Sequence, residues 1–150
     1  MITEKTFNEN LPQFHKLIVE YLAVTESKTF SFESNYVKDY HGKWCSYISI
    51  RLDRDYLELV VSYNEFYESP VLHYLRNHDP ADSVGTAHSD LDIHPYIQRT
   101  FLLLHPCETK ELMNTLQQVV PLRYLIAWFG IHLGFVSKEL TLRVPESAFI

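Results

Sequence analysis

The residues that could do chemistry cluster in FLLLHPCETKELM, residues 101–113. An apolar, strand-like run ends at His105-Pro106-Cys107, and a segment with helical spacing follows at once. Pro106 restricts His105 to extended conformations and so makes a corner. A thiol just before a helix feels the positive end of the helix dipole and its unpaired N–H groups. Both favour the thiolate, which is the nucleophilic form. On spacing alone, Cys107 reads either as a nucleophile or as a buried cysteine at a helix start. A zinc ligand set drawn from His88, His94, His105 and Cys107 is a third reading, but no C-x-x-C or H-x-x-x-H spacing supports it. A Cys–His protease would need a distant histidine and an orienting group, which eight histidines cannot single out. The second cysteine, Cys45, sits between Trp44 and Ser46 inside a strand pattern and reads as a small core residue.

The elements that must position this corner follow from periodicity. Leu11, Phe14, Leu17, Ile18, Tyr21 and Leu22 recur at helical spacing, which predicts an amphipathic helix over about 11–24, or one starting a turn earlier through Phe7. Asn10 with Gln13 resembles a capping pair, and Pro12 suits a first turn. KTFSFES, WCSYISIRL, YLELVVSYNEFY and SPVLHYLR alternate between short turns. They predict a four-stranded antiparallel meander. Residues 77–96 are polar, acidic and histidine-bearing, and read as a long functional or mobile loop. A helix is expected over about 109–120, and a second, strongly apolar one after Pro121 up to about Gly130 or Leu133. The tail reads as a short strand, a docked extension or a loose end. The fold class is therefore α+β, with helices on one antiparallel sheet.

Composition narrows the function classes. The 150 residues suit one domain, 1–150, and 46% hydrophobic content allows a sizeable core. With 13 basic against 19 acidic residues and no basic block, a nucleic-acid footprint is unsupported. No apolar run reaches the roughly 20 residues of a membrane span. The polar N-terminus is no secretory signal, and two irregularly spaced cysteines fit a reducing cytosol.

The motif as a whole resembles the autophagy ubiquitin-conjugating-type enzymes. The matching positions are His94-Pro95, then His105-Pro106-Cys107, then Thr109 and Leu112-Met113, in the order that family has them. The chain lacks the long acidic or flexible insertion of autophagy-related protein 3, so it is similar to the family's shorter type. The resemblance implies a ubiquitin-conjugating-enzyme-like fold with an N-terminal helix, the meander, a catalytic loop and C-terminal helices. It implies that Cys107 accepts autophagy-related protein 12 as a thioester from the activating enzyme, autophagy-related protein 7. The modifier would pass to a lysine of autophagy-related protein 5, in the cytoplasm and with recruitment to autophagosome-forming membranes. No cofactor and no metal are expected.

Ordinary ubiquitin-conjugating enzymes keep an asparagine at the third position of a His-Pro-Asn triplet, and here that position is Cys107 itself. The oxyanion of the tetrahedral intermediate must then be stabilised by another group. Asn114, seven residues on, shares a helical face with Cys107 if the helix reaches back that far, and otherwise faces solvent. Tyr56, after the DRD turn, offers a hydroxyl that could steer the lysine, or else a cross-strand packing ring. Glu108 could shed a proton or simply start the helix, and His105 would hold the loop rather than act as a base. The competing class is a non-catalytic protein-binding module on the same fold. In either reading the sheet edges and the acidic loop 77–96 would serve partner docking, and the strand region around 55–76 reads as an open, acceptor-binding edge.

Overall fold

In the computed structural model the described residues are 2–25, 29–83, 89–106, 113 and 120–149. Helix α1 spans Glu4–Tyr21 and begins earlier than the Asn10 signal suggests. Thr3 is the N-cap, its hydroxyl accepting the Thr6 N–H, and Glu4 complements the dipole in the first turn. Asn10 lies inside the helix and donates back to the Thr6 carbonyl at 2.8 Å, so it caps nothing. Pro12 also lies inside, on the exposed side. Losing one N–H there costs about 3 kcal/mol. Burial of Phe7, Leu11, Phe14, Leu17 and Ile18 along one stripe carries the helix through it.

The helix stops at Tyr21 because Leu22–Val24 form strand β1. The sheet then runs through β2 (Phe30–Tyr40), β3 (Lys43–Leu52), β4 (Asp55–Asn64), β5 (Ser69–Arg76), β6 (Ser89–Ile93) and β7 (Thr100–Leu104). The fold is α+β, as expected, and the meander is present as β2 to β5. The sheet is nevertheless six-stranded, with spatial order β2-β3-β4-β5-β7-β6 and every pair antiparallel. Two expectations are corrected here. The segment 77–96 is not one long loop, because it holds a 3-10 turn at Pro80–Ser83 and strand β6. The region 55–76 is not an open edge either, because β7 returns to pair with β5. The edges are β2 and β6.

Helix α2 spans Pro121–Val136, with Pro121 at its first turn, and strand β8 covers Leu140–Leu142. The tail thus supplies a strand, and β8 pairs with β1 to tie the two ends of the chain together. Both helices pack on one sheet face. Phe14 meets Phe129 edge to face at 5.6 Å, and the core they share with the sheet includes Ile50, Leu57, Leu59, Leu72 and, from α2, Trp128. Met113 is helical and buried in this same core.

Truncating Phe14 to alanine removes a fully buried ring from the joint between the helices. A loss of about 3–5 kcal/mol is expected. Urea unfolding should show a lower midpoint with an unchanged slope, and a loss under about 1 kcal/mol would contradict this packing.

Candidate active site

Strand β7 delivers His105 and Pro106 to the end of the sheet marked by the β4–β5 turn. There the His105 ring meets the Tyr67 ring in a T-shaped contact at 6.1 Å, and Pro106 is buried. Phe66 in turn packs edge-on against Tyr67 at 5.1 Å. Cys107, Glu108, Thr109, Leu112 and Asn114 lie outside the described residues, as do His88 and most of the helix expected over 109–120.

Tyr56 is placed at the other end of β4, beside the β3–β4 turn. Its N–H donates to Asn77 Oδ1 at 2.7 Å, its ring stacks on His78 at 4.7 Å, and the Arg51 guanidinium lies 5.3 Å from it. Tyr63, near the opposite end of the same strand, is seven residues away, about 23 Å at strand rise. The structure therefore does not bring Tyr56 to His105 and Pro106. The residue that sequence reasoning missed is Tyr67. In the sequence it reads as the end of the alternating run YLELVVSYNEFY. Asn64 before it and Ser69-Pro70 after it were the available turn signals.

The sheet face opposite the helices is also closed at its centre. The β6–β7 connection folds over it and brings His94 to a fully buried place. His94 Nδ1 accepts the N–H groups of Tyr96 and Ile97, both at 3.2 Å. That sets the tautomer, so Nε2 carries the proton and donates to Ser62 Oγ at 3.3 Å. Both ring nitrogens are occupied, and burial, with His73 close by, lowers the pKa to about 3. His94 is thus a neutral clasp rather than a metal ligand. Its neighbour His73, 4.7 Å away ring to ring, donates from Nε2 to Asp92 at 2.8 Å, and burial lowers its pKa as well. Further along, the carboxylate of Glu58 is buried under Tyr47, which donates to it at 2.6 Å, and under Arg99, whose guanidinium is paired with it. Cys45 sits in the same layer with no exposure, and burial pushes its thiol up to about 12. It cannot supply a thiolate near neutrality.

The model of the autophagocytosis associated protein, active-site domain, matches residues 46–142. The chain belongs to this family. It is also similar to the ubiquitin-like-conjugating enzyme ATG10 of Candida albicans, at 26% identity over 152 residues, covering 88% of this chain and 85% of that protein. No solved structure matches it. The family places the chain among the conjugating transferases of autophagy, and the shorter type is the one it resembles. The match runs from within β3 to the end of β8 with both His-Pro pairs, and Cys107 is the cysteine inside it, Cys45 falling one residue short. Among the described residues no helix is long and apolar enough to cross a membrane.

The neutral histidines make a pH prediction. A folded-state pKa of about 3 for His94, against 6.5 unperturbed, means that the unfolded chain binds more protons once pH drops below 6.5. The contribution is whole above that pH and is lost progressively as pH falls toward 3. The slope is up to about 1.4 kcal/mol per pH unit per histidine. His94→Gln should flatten the dependence of the urea midpoint on pH between about 6.5 and 4. An unchanged profile would remove His94 from the set of buried neutral groups.

Proposed function

We propose that the whole chain acts as a single catalytic domain that carries a ubiquitin-like modifier as a thioester on Cys107. The observation that carries this reading is the contrast between the two thiols. Cys45 is sealed in the sheet with its thiol pushed up, whereas Cys107 ends the His-Pro-Cys corner inside the family's active-site domain. The modifier is autophagy-related protein 12, received from autophagy-related protein 7. The acceptor is a lysine of autophagy-related protein 5, and the setting is the cytoplasm, with recruitment to autophagosome-forming membranes.

Two exchanges make up the reaction. In the first, the Cys107 thiolate attacks the thioester carbonyl of the charged activating enzyme. The new C–S bond forms as the old one breaks, and the activating enzyme's thiolate leaves. In the second, a deprotonated lysine amine attacks the thioester on Cys107. A C–N bond forms, the C–S bond breaks, and the regenerated thiol takes up the proton that the amine gives away. Asn114 is the proposed donor to the oxyanion, in place of the asparagine that Cys107 displaces from the triplet. Tyr56 stands at the other end of β4 from His105, so its hydroxyl is not proposed to steer the lysine. His105 and Pro106 are proposed to be positioning residues, which agrees with a half-buried imidazole packed on Tyr67 and a buried proline.

Charging is tested with activating enzyme, ATP and a panel of ubiquitin-like modifiers. Wild-type enzyme is expected to form a reductant-sensitive adduct, Cys107→Ser a reductant-resistant oxyester, and Cys107→Ala none. Charging that survives Cys107→Ala and vanishes in Cys45→Ser would reverse the assignment. Asn114→Ala should charge normally while its discharge onto lysine slows by about 10²-fold, in the range of one oxyanion donor. A defect confined to charging would remove Asn114 from that role.

A further inference from the structure

We infer that the β4–β5 turn, Glu65-Phe66-Tyr67-Glu68, is the surface that receives the lysine-bearing segment of the acceptor protein. This inference rests on the reading of Cys107 as the charged residue. Phe66 is 86% exposed, more than any other large hydrophobic among the described residues. A single exposed apolar side chain is ordinary on a protein surface. This one is distinguished by where it stands. Its ring packs on Tyr67, and Tyr67 packs on His105, so an exposed aromatic is joined by two ring contacts to the corner that ends at Cys107. His105 precedes Cys107 by two residues in the chain, and Phe66, the most exposed large hydrophobic among the described residues, stands two ring contacts from it.

The charge at this turn selects the occupant. Glu65 and Glu68 flank the aromatic pair. Glu65 shares Lys43 with Glu4, which leaves two carboxylates for one ammonium in that cluster. Such a tip suits a segment that is cationic and aliphatic: the ammonium near the carboxylates or over the Phe66 face, the methylene stem against the ring. Glu68 also holds a left-handed backbone, with φ 53°. Glycine would take that conformation without strain. The carboxylate is therefore present at a position where the backbone alone would favour glycine, which gives a variant that separates binding from folding.

The experiment uses the full chain, charged by the activating enzyme, with discharge followed in parallel onto autophagy-related protein 5 and onto free lysine. Phe66→Ala is expected to lower transfer to the protein acceptor by roughly 10-fold or more relative to free lysine, as a raised KM, with Phe66→Tyr restoring most of it. Glu68→Gly should melt no lower than wild type and yet lose protein transfer by several-fold. Equal losses on both acceptors, a loss confined to charging, or no change in either variant would each overturn the proposal. A charging loss would assign the turn to the activating enzyme or the modifier. If the wild-type chain accepts no modifier at all, the reading of Cys107 fails by itself. Titration of the uncharged enzyme with autophagy-related protein 5, watched by NMR, then decides the surface. Shifts centred on Phe66 and Tyr67 that disappear in Phe66→Ala support it, and binding that leaves the turn unperturbed overturns it.

Discussion

The position of His105 and Pro106 hangs on how the β6–β7 hairpin is fastened to the rest of the sheet. The ladder between β5 and β7 is short, with His73 opposite Leu103 and Tyr74 opposite Leu102. Two ladder pairs hold a hairpin poorly by themselves. Side chains supply the remainder. Ser89 shares a hydrogen bond with the Tyr74 hydroxyl at 2.6 Å, Asp92 accepts from His73, Arg99 pairs with Glu58, and His94 reaches across to Ser62 on β4. Each of these bridges joins the hairpin to β4 or β5, and together they aim β7 so that its exit lies against Tyr67.

These bridges explain why a sheet with helices on one face carries so many polar groups inside. Antiparallel sheets commonly leave their second face to water. Here the centre of that face is roofed by the β6–β7 connection, and β3, β4 and β5 are buried through most of their length. Ser49, Glu58, Ser62, His73 and His94 lie on the roofed face, and Ser46 lies on the helix side of β3. Buried polar groups are tolerable only when they are partnered, and each of these has a partner: Ser62 and His94 each other, His73 with Asp92, Glu58 with Tyr47 and Arg99, and Ser49 with the Ser34 carbonyl. Ser46 lies 2.6 Å from His15 of α1. The polar groups of the roofed face are interleaved with the smaller apolar cluster there, and burial keeps its histidines neutral.

Much of the local structure was legible in the residues. The alternation in WCSYISIRL and YLELVVSYN marks β3 and β4 closely, and the spacing of Phe14, Leu17, Ile18 and Tyr21 marks the apolar stripe of α1. Misreadings arose where a local signal competed with burial. Asn10 looked like a cap, yet Phe7 has a core place to fill, so the helix starts at Glu4 and runs through Pro12. Ser89–Ile93 looked like loop because Asp90 and Asp92 alternate with exposed Leu91 and Ile93, which is how a charged edge strand reads. Tyr67 looked like strand because an aromatic after an alternating run carries no mark of the turn that contains it.

The order of residues alone determined the chemistry on offer: a thiol after a His-Pro corner, a second thiol in a strand, and a family pattern around the first. It also determined the α+β class, because helical and alternating periods are local properties of the chain. The tertiary structure decided what those residues do for one another. Cys45 is set aside because the β6–β7 connection closes over its face of the sheet, and His94 becomes a clasp because the backbone of Tyr96 and Ile97 turns back onto its ring. Tyr56 and His105 go to opposite ends of the sheet because β7 enters beside β5 in that register, while Tyr67 comes to His105 for the same reason. Pairing between strands distant in sequence depends on the sum of many side-chain contacts across the sheet, and no short stretch of the chain contains that sum.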